Sequence, residues 1–274
     1  MHLRTNFSDL KNVPQSILSL LSNEQCIRAW YFTHVVNIGD LAGPYLIEKI
    51  TGKKVVPSIL GLRQHIISVG SIFSQANNNS LIWGAGLISK HEKIHVTDSK
   101  NISMVRGQFT KRELEARGLK LASVALSDPA SLLPTFYSPK ISKKYKVGII
   151  PHYVDYDGYN KQAMPEGVKL IDVKADVESF IDELLECETI ISSSLHGIII
   201  SDCYCIPNIW IGTHNQLSGD DFKFYDYFSN FKEDVPVKMS LDMGLSNLNS
   251  VLTNRSLRVN SDTVLANALE AFPL

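Results

Sequence analysis

The chain has 274 residues, 44% of them hydrophobic and 20% charged, with 27 basic against 28 acidic side chains. That is the composition of a globular protein with a real core, long enough for one large domain or two of roughly 130 residues. The near-zero balance of charge gives no argument for a nucleic acid or a membrane surface, so no nucleic-acid partner is expected, and no apolar run reaches the ~20 residues of a membrane span.

The opening Met1–Asn6 leads into a polar amphipathic segment without the apolar core of a signal peptide, so a cytoplasmic protein is expected. The four cysteines, Cys26, Cys187, Cys203 and Cys205, do not have zinc-like spacing and read as free thiols. Neither a metal nor a cofactor is expected.

Strand-like and helix-like runs then alternate. Strands are predicted at Ile27–Val35, Ile66–Gly70, Leu81–Gly84, Ile102–Val105, Ser123–Leu126, Lys146–Pro151, Lys169–Val173, Thr189–Ser192 and Asn208–Ile211. Helices are predicted at Gly43–Thr51, Thr110–Gly118, Val177–Glu186, Leu195–Cys205, Phe222–Phe228 and Thr263–Ala271. Several strands are apolar without alternation, as strands are when helices cover both faces of a parallel sheet. The fold class is therefore α/β. Pro134, Pro139 and the Lys143-Lys144 pair interrupt the pattern between Leu133 and Tyr145, and a new strand starts at Lys146. Two Rossmann-like domains are expected, residues 1–140 and 141–274, facing across a cleft at the carboxyl ends of their strands. The final amphipathic helix could pack back on the first.

The chemistry-bearing residues fall at strand ends. Asn37-Ile38-Gly39-Asp40 follows the first strand. Gly39 permits a tight turn there, and Asp40 is either the cap of the next helix or a catalytic carboxylate. Gly70-Ser71 and Gly84-Ala85-Gly86 end apolar strands with small residues, which let a ligand approach the backbone; they lack the features of a dinucleotide site. Arg106 ends another strand and suits a carboxylate or phosphate, or else a structural ion pair. Thr110 and Glu113 form a capping box for the helix behind it. Asp128, before Pro129, reads as a turn former. His152 and Tyr153 would lie on the rim of the cleft, or in a plain loop. Ser192-Ser193-Ser194-Leu195-His196-Gly197 joins a buried strand to an apolar helix, with His196 in the first turn, where the positive helix end favours a bound anion. The stretch Ser218–Phe228 is rich in aromatic and acidic residues and reads as sugar contacts or as core.

Taken in order, Asn37–Asp40 with Gly43-Pro44-Tyr45-Leu46, Gly70-Ser71-Ile72, Trp83–Gly86, Val105-Arg106-Gly107, Asp128-Pro129-Ala130, Pro151-His152 and Ser194–Gly197 resemble the polysaccharide pyruvyl transferase family. The resemblance implies a two-domain fold like the GT-B glycosyltransferases. It also implies transfer of the pyruvyl unit of phosphoenolpyruvate, as co-substrate, to a sugar of a polysaccharide or its precursor, forming a pyruvate ketal. The acceptor side would be the first domain and the donor side the second. Many relatives carry arginine before the Leu-His-Gly, where this chain has Ser194; the Ser-Leu-His-Gly form is similar to a subgroup linked to bacterial exopolysaccharide synthesis. Phosphate binding would then lean on Arg106, His196 and backbone amides, or on another basic residue.

For that chemistry His196, Asp40 and His152 are the expected catalytic groups: His196 and Arg106 hold the donor, with His196 also a candidate acid, and Asp40 or His152 is the base toward the acceptor. Arg106, Ser193, Ser194, Gly197, Asn37, Gly39, Gly70, Ser71, Gly84, Gly86 and Tyr153 would line the substrates. His196→Ala and Arg106→Ala are each expected to lower turnover by roughly a hundredfold. A lipid-linked acceptor would bring the enzyme to the inner membrane face. The rival readings are a GT-B glycosyltransferase with a nucleotide-sugar donor and an inactive sugar-binding homologue.

Overall fold

In the computed structural model, residues 26–33, 37–58, 61–161, 163–213, 221–231, 235–239 and 258–274 are described. The opening segment, the end of the first predicted strand at 34–35 and residues 218–220 of the aromatic stretch lie outside them.

The first half alternates β1 (Cys26–Trp30), α1 (Ile38–Thr51), β2 (Lys54–Pro57), β3 (His65–Ile67), β4 (Ser80–Trp83), β5 (Ile102–Val105), α2 (Gln108–Ala116) and β6 (Ala125–Leu126). The short α3 (Leu133–Phe136) leads out of it. The second half runs β7 (Tyr145–Ile150), α4 (Tyr156–Asn160), β8 (Val168–Leu170), α5 (Val177–Leu185), β9 (Cys187–Ser192), α6 (Leu195–Cys203), β10 (Asn208–Trp210) and α7 (Phe222–Phe228), with α8 (Asp262–Glu270) near the end.

The strands make two sheets, a six-stranded one in the order β2-β1-β3-β4-β5-β6 and a four-stranded one in the order β10-β9-β7-β8. Every pairing within them is parallel. This is the α/β class expected, and its cause is visible in the burial. All four residues of β4 and all three of β3 are buried, as are Val147–Ile150 in β7, so these strands have no solvent face to make polar.

Three local expectations are corrected. β2 was not anticipated: Lys54-Val55-Val56-Pro57 is short, follows α1 directly and contains a proline. It is tolerated because β2 is the edge of its sheet, where Pro57 leaves no ladder hydrogen bond to a further strand unmade. Helix α1 begins at Ile38, five residues before the predicted start, and its cap is Asn37, whose side chain accepts from Gly39 N at 3.0 Å. Asp40 is therefore not the cap; it lies inside the first turn. Pro44, which resembles a first-turn proline, sits within the helix and leaves the Asp40 carbonyl without its usual i→i+4 donor. Helix α2 begins at Gln108, so Thr110 is not its cap either. Its backbone N–H donates at 2.7 Å to Asp226 Oδ1, a carboxylate from α7.

Contacts between the halves are extensive. Trp83 of β4 donates its indole N–H to Ala268 O of α8 at 2.8 Å and stacks edge-on against Phe272, so the last helix lies against the first sheet. On the far side of α7, Trp210 stacks with Phe224 and packs on Phe228. Tyr227 donates to Asp202, which also receives two bonds from the buried Arg258 guanidinium. Helix α7 is thus bonded to the first half through Asp226 and to the second through its aromatic face.

Candidate functional site

The strand β9 ends in a turn held by its own serines. Ser193 N donates to Ile150 O at 3.1 Å, and Ser194 N donates to Ser192 Oγ at 3.0 Å. Ser193 Oγ accepts from His152 N at 2.8 Å, tying the ends of β7 and β9 together. Ser194 precedes α6 but its side chain makes no cap bond. Gly197 lies so close to Ser192 Oγ that a Cβ would stand 2.3 Å from it. Ser192, Ser193 and Gly197 therefore build the turn that presents His196. The Ser194 hydroxyl remains unbonded among the described residues.

His196 leans out of this turn onto the first half. A Cβ on Gly39 would fall 2.2 Å from its Nδ1, so the imidazole lies directly against the opening turn of α1. Its Nε2 is 3.7 Å from Asp128 Oδ2, with side-chain exposures of 12% and 0%. Asp128 does form a turn, as its Oδ1 accepts from Ala130 N at 3.0 Å. Its other oxygen, however, has no hydrogen-bond partner, and neither has His196 Nε2. Buried polar atoms are rarely left so without a reason, and a polar guest is one.

Asp40 stands one residue beyond Gly39 and receives a short hydrogen bond from Asn37 Nδ2. Burial pushes its carboxyl up to about 7, although the Asn37 bond opposes this. At the end of β7, burial first and then the charge of Lys223 push His152 down to about 4, so its ring is neutral near pH 7. His152 Nδ1 is a third buried nitrogen or oxygen without a partner. Tyr153, 36% exposed, packs its ring 4.6 Å from that of His152. Lys223 of α7 is pushed down to about 8, by burial and then by the charge of Arg106, with Asp221 opposing. Its ammonium lies 5.4 Å from the Phe224 ring centroid and contacts no hydrogen-bond acceptor among the described residues.

Arg106 takes the structural alternative left open by its sequence position. It is fully buried, its Nε donates to Asp226 Oδ2 at 2.9 Å, and its other nitrogens donate to Ser71 Oγ and Leu87 O, each at 2.6 Å. The same Asp226 oxygen also accepts from Thr110 Oγ1 at 2.7 Å. The small residues at these strand ends also serve packing. Gly86 leaves room for the Arg106 guanidinium, whose Cζ would be 2.3 Å from a Cβ there; Gly84 lies against Pro129; and the Gly70 carbonyl accepts from Gly86 N at 3.0 Å.

The structure thus brings His196, Gly39, Asn37 and Asp40 together, joins His152 to Ser193 and Lys223, and groups Arg106 with Ser71 and Gly86. Sequence reasoning missed Asp128, Lys223 and Asp226 as members of this region. Asp128 had a signal, its place at a strand end. Asp226 had another, as an acid on the buried face between Phe224 and Tyr227. Lys223 offered only its place in the aromatic stretch. Among the described residues no three His, Cys, Asp or Glu side chains converge as a metal site, and no helix is long and apolar enough to cross a membrane.

Two all-parallel sheets, with an imidazole of one half facing a carboxylate of the other just past their strand ends, define an α/β protein with a candidate acid–base site. Residues 4–215 match the family model described as polysaccharide pyruvyl transferase, and the chain belongs to that family. It is 35% identical over 227 residues to the uncharacterized protein L143 of Acanthamoeba polyphaga mimivirus, covering 78% of this chain and 77% of that one. It is 25% identical over 173 residues to the succinoglycan biosynthesis protein ExoV of Rhizobium meliloti (strain 1021), covering 59% of this chain and 52% of ExoV. Among solved structures, a functionally uncharacterized protein, KP1_0663 of Klebsiella pneumoniae, aligns with a TM-score of 0.43 at 13% identity, over 84% of this chain and 97% of that one.

Proposed function

We propose that the protein transfers the pyruvyl unit of phosphoenolpyruvate to two hydroxyls of one sugar in a polysaccharide or its precursor, forming a pyruvate ketal and releasing phosphate. Family membership supports pyruvylation of a polysaccharide. The observation that carries the finer reading is the meeting of His196 and Asp128 at strand ends of the two sheets, with the facing atoms Nε2 and Oδ2 buried and not otherwise bonded and His152 Nδ1 likewise buried without a partner.

The chemistry needs an acid for the methylene carbon, positive groups for phosphate and carboxylate, and a base for the attacking hydroxyl. In this reading His196 as imidazolium is the acid: one of its two ring protons goes to the methylene carbon as C2 becomes an oxocarbenium-like centre, leaving the ring neutral. Asp40, with a carboxyl near 7, takes the proton of the first sugar hydroxyl as its oxygen bonds to C2. The second hydroxyl then bonds to C2 as phosphate leaves, and its proton passes to the His196 ring that gave one up in the first step. His152, neutral at working pH, accepts a hydrogen bond from the sugar. Lys223 supplies the charge that Ser194 does not, and Ser194 Oγ donates a hydrogen bond to the phosphate. Arg106 acts at one remove, fixing Ser71 and Asp226 and keeping Lys223 poised. In this reading the halves take a GT-B arrangement, residues 1–140 on the acceptor side and 141–274 on the donor side, and the reaction lies where His196 meets the Gly39 turn and Asp128.

Purified protein is to be incubated with phosphoenolpyruvate and glycan fractions of the host. Phosphate release that depends on the glycan, with a new ketal methyl signal by NMR, is expected, and His196→Ala should lose it by about a hundredfold or more. Stabilisation by nucleotide sugars but not by phosphoenolpyruvate in a thermal-shift titration would replace this reading with a glycosyltransferase; response to neither would leave a sugar-binding homologue.

A further inference from the structure

His196 has two ring nitrogens in unlike surroundings. Nε2 is buried and faces Asp128 Oδ2 at 3.7 Å, with neither atom otherwise bonded. Nδ1 faces Gly39, and only the missing side chain there keeps it uncovered, since a Cβ would come within 2.2 Å. No hydrogen bond reaches Nδ1 among the described residues. Asp128 is itself locked. Its Oδ1 accepts from Ala130 N at 3.0 Å, and Pro129 beside it packs on Gly84. The carboxylate therefore has one oxygen committed to the turn and one left for the imidazole. A gap of 3.7 Å is long for a hydrogen bond, but such bonds in unliganded sites commonly tighten when substrate binds.

We propose that Asp128 is a positioning residue that takes the Nε2–H of His196, so that Nδ1, kept clear by Gly39, is the nitrogen that exchanges a proton with the substrate. Neutral imidazole carries one proton, and the partner of one nitrogen decides the role of the other. A carboxylate can only accept, so Asp128 selects the ring form protonated on Nε2. Because Asp128 and Gly39 belong to the first half of the chain and His196 to the second, the working tautomer exists only while the halves are in contact. The role given to Nδ1 rests on the pyruvyl-transfer reading; the pairing of Asp128 with Nε2 does not.

Asp128→Asn gives a directional test. Ala130 N still needs an acceptor, so the amide oxygen takes the place of Oδ1 and the NH2 falls where Oδ2 was. That group donates to Nε2 and drives the ring proton to Nδ1. In full-length protein labelled with 15N-histidine, with His196 assigned by its loss in His196→Gln, the neutral wild-type ring should show a protonated Nε2 and a bare Nδ1. The Asn variant should show the reverse. Turnover of phosphoenolpyruvate should fall by roughly a thousandfold or more, as it does when an imidazole is held in the wrong tautomer, with little rise in its KM. A purely structural Asp128 would lower the melting temperature and leave the tautomer alone. A wild-type ring protonated on Nδ1, or the same tautomer in both proteins, overturns the proposal. If the variant does not fold, Asp128→Ala, which keeps no donor or acceptor toward Nε2, replaces it: loss of the fixed Nε2–H form there supports the pairing, and an unchanged ring overturns it. Protonation on Nε2 in a protein that turns over no phosphoenolpyruvate would sustain the pairing and remove the assigned reaction instead.

Discussion

Gly39→Ala isolates the position of the His196 ring from its chemistry. The added methyl carbon would stand 2.2 Å from Nδ1, 2.7 Å from Cε1 and 2.9 Å from Cγ. Non-bonded carbon contacts are comfortable near about 3.5 Å, so the ring must retreat by about 1 Å or more. Two facts let it do so without unfolding the protein. The neighbour is a side chain retaining 12% exposure, and Gly39 lies within a helix, where alanine is favoured over glycine by about 1 kcal/mol. The melting temperature should therefore change by only a few degrees. Turnover should not be spared, because a misplacement of about 1 Å costs on the order of a hundredfold. The assay is steady-state phosphate release from phosphoenolpyruvate beside a melting curve on the same preparation. Turnover within a few-fold of wild type would refute the reasoning, because the ring would then be displaced without consequence.

Asp226→Ala strips the Arg106 guanidinium and the first turn of α2 of their shared acceptor, and should destabilise the protein by about 3–5 kcal/mol in urea unfolding, with Asp226→Asn milder. Burial and the charge of Lys223 hold His152 at about 4, below its ordinary 6.5, so the unfolded chain binds the extra proton between pH 6.5 and 4. The stability present above that window is lost as pH falls through it, by up to roughly 3 kcal/mol, and urea midpoints of His152→Phe should show a shallower acid decline than wild type. Lys223 at about 8 should lose its charge well before an ordinary lysine, so the affinity for phosphoenolpyruvate should decline above pH 8 in binding titrations. Lys223→Arg should abolish that decline, and Lys223→Met should weaken binding by tenfold or more at all pH values.

The sequence by itself determined the class of fold and much of its order. Strands such as Tyr145–Ile150 and Cys187–Ser192 are legible because burial on both faces leaves apolar stretches, Val147–Ile150 and Ile190-Ile191, without alternation. These are local causes. The position of His196, in the first turn after three serines, is legible for the same reason. What surrounds it is not. Arg106 looks equally suited to an anion or to an ion pair until α7 brings in Asp226, 120 residues along the chain. Asp128 passes for a turn residue, which it is, until its second oxygen is found facing an imidazole of the other half. Tertiary structure made those decisions because a buried charge takes its role from whichever group the packing sets beside it, and no local pattern along the chain names that neighbour.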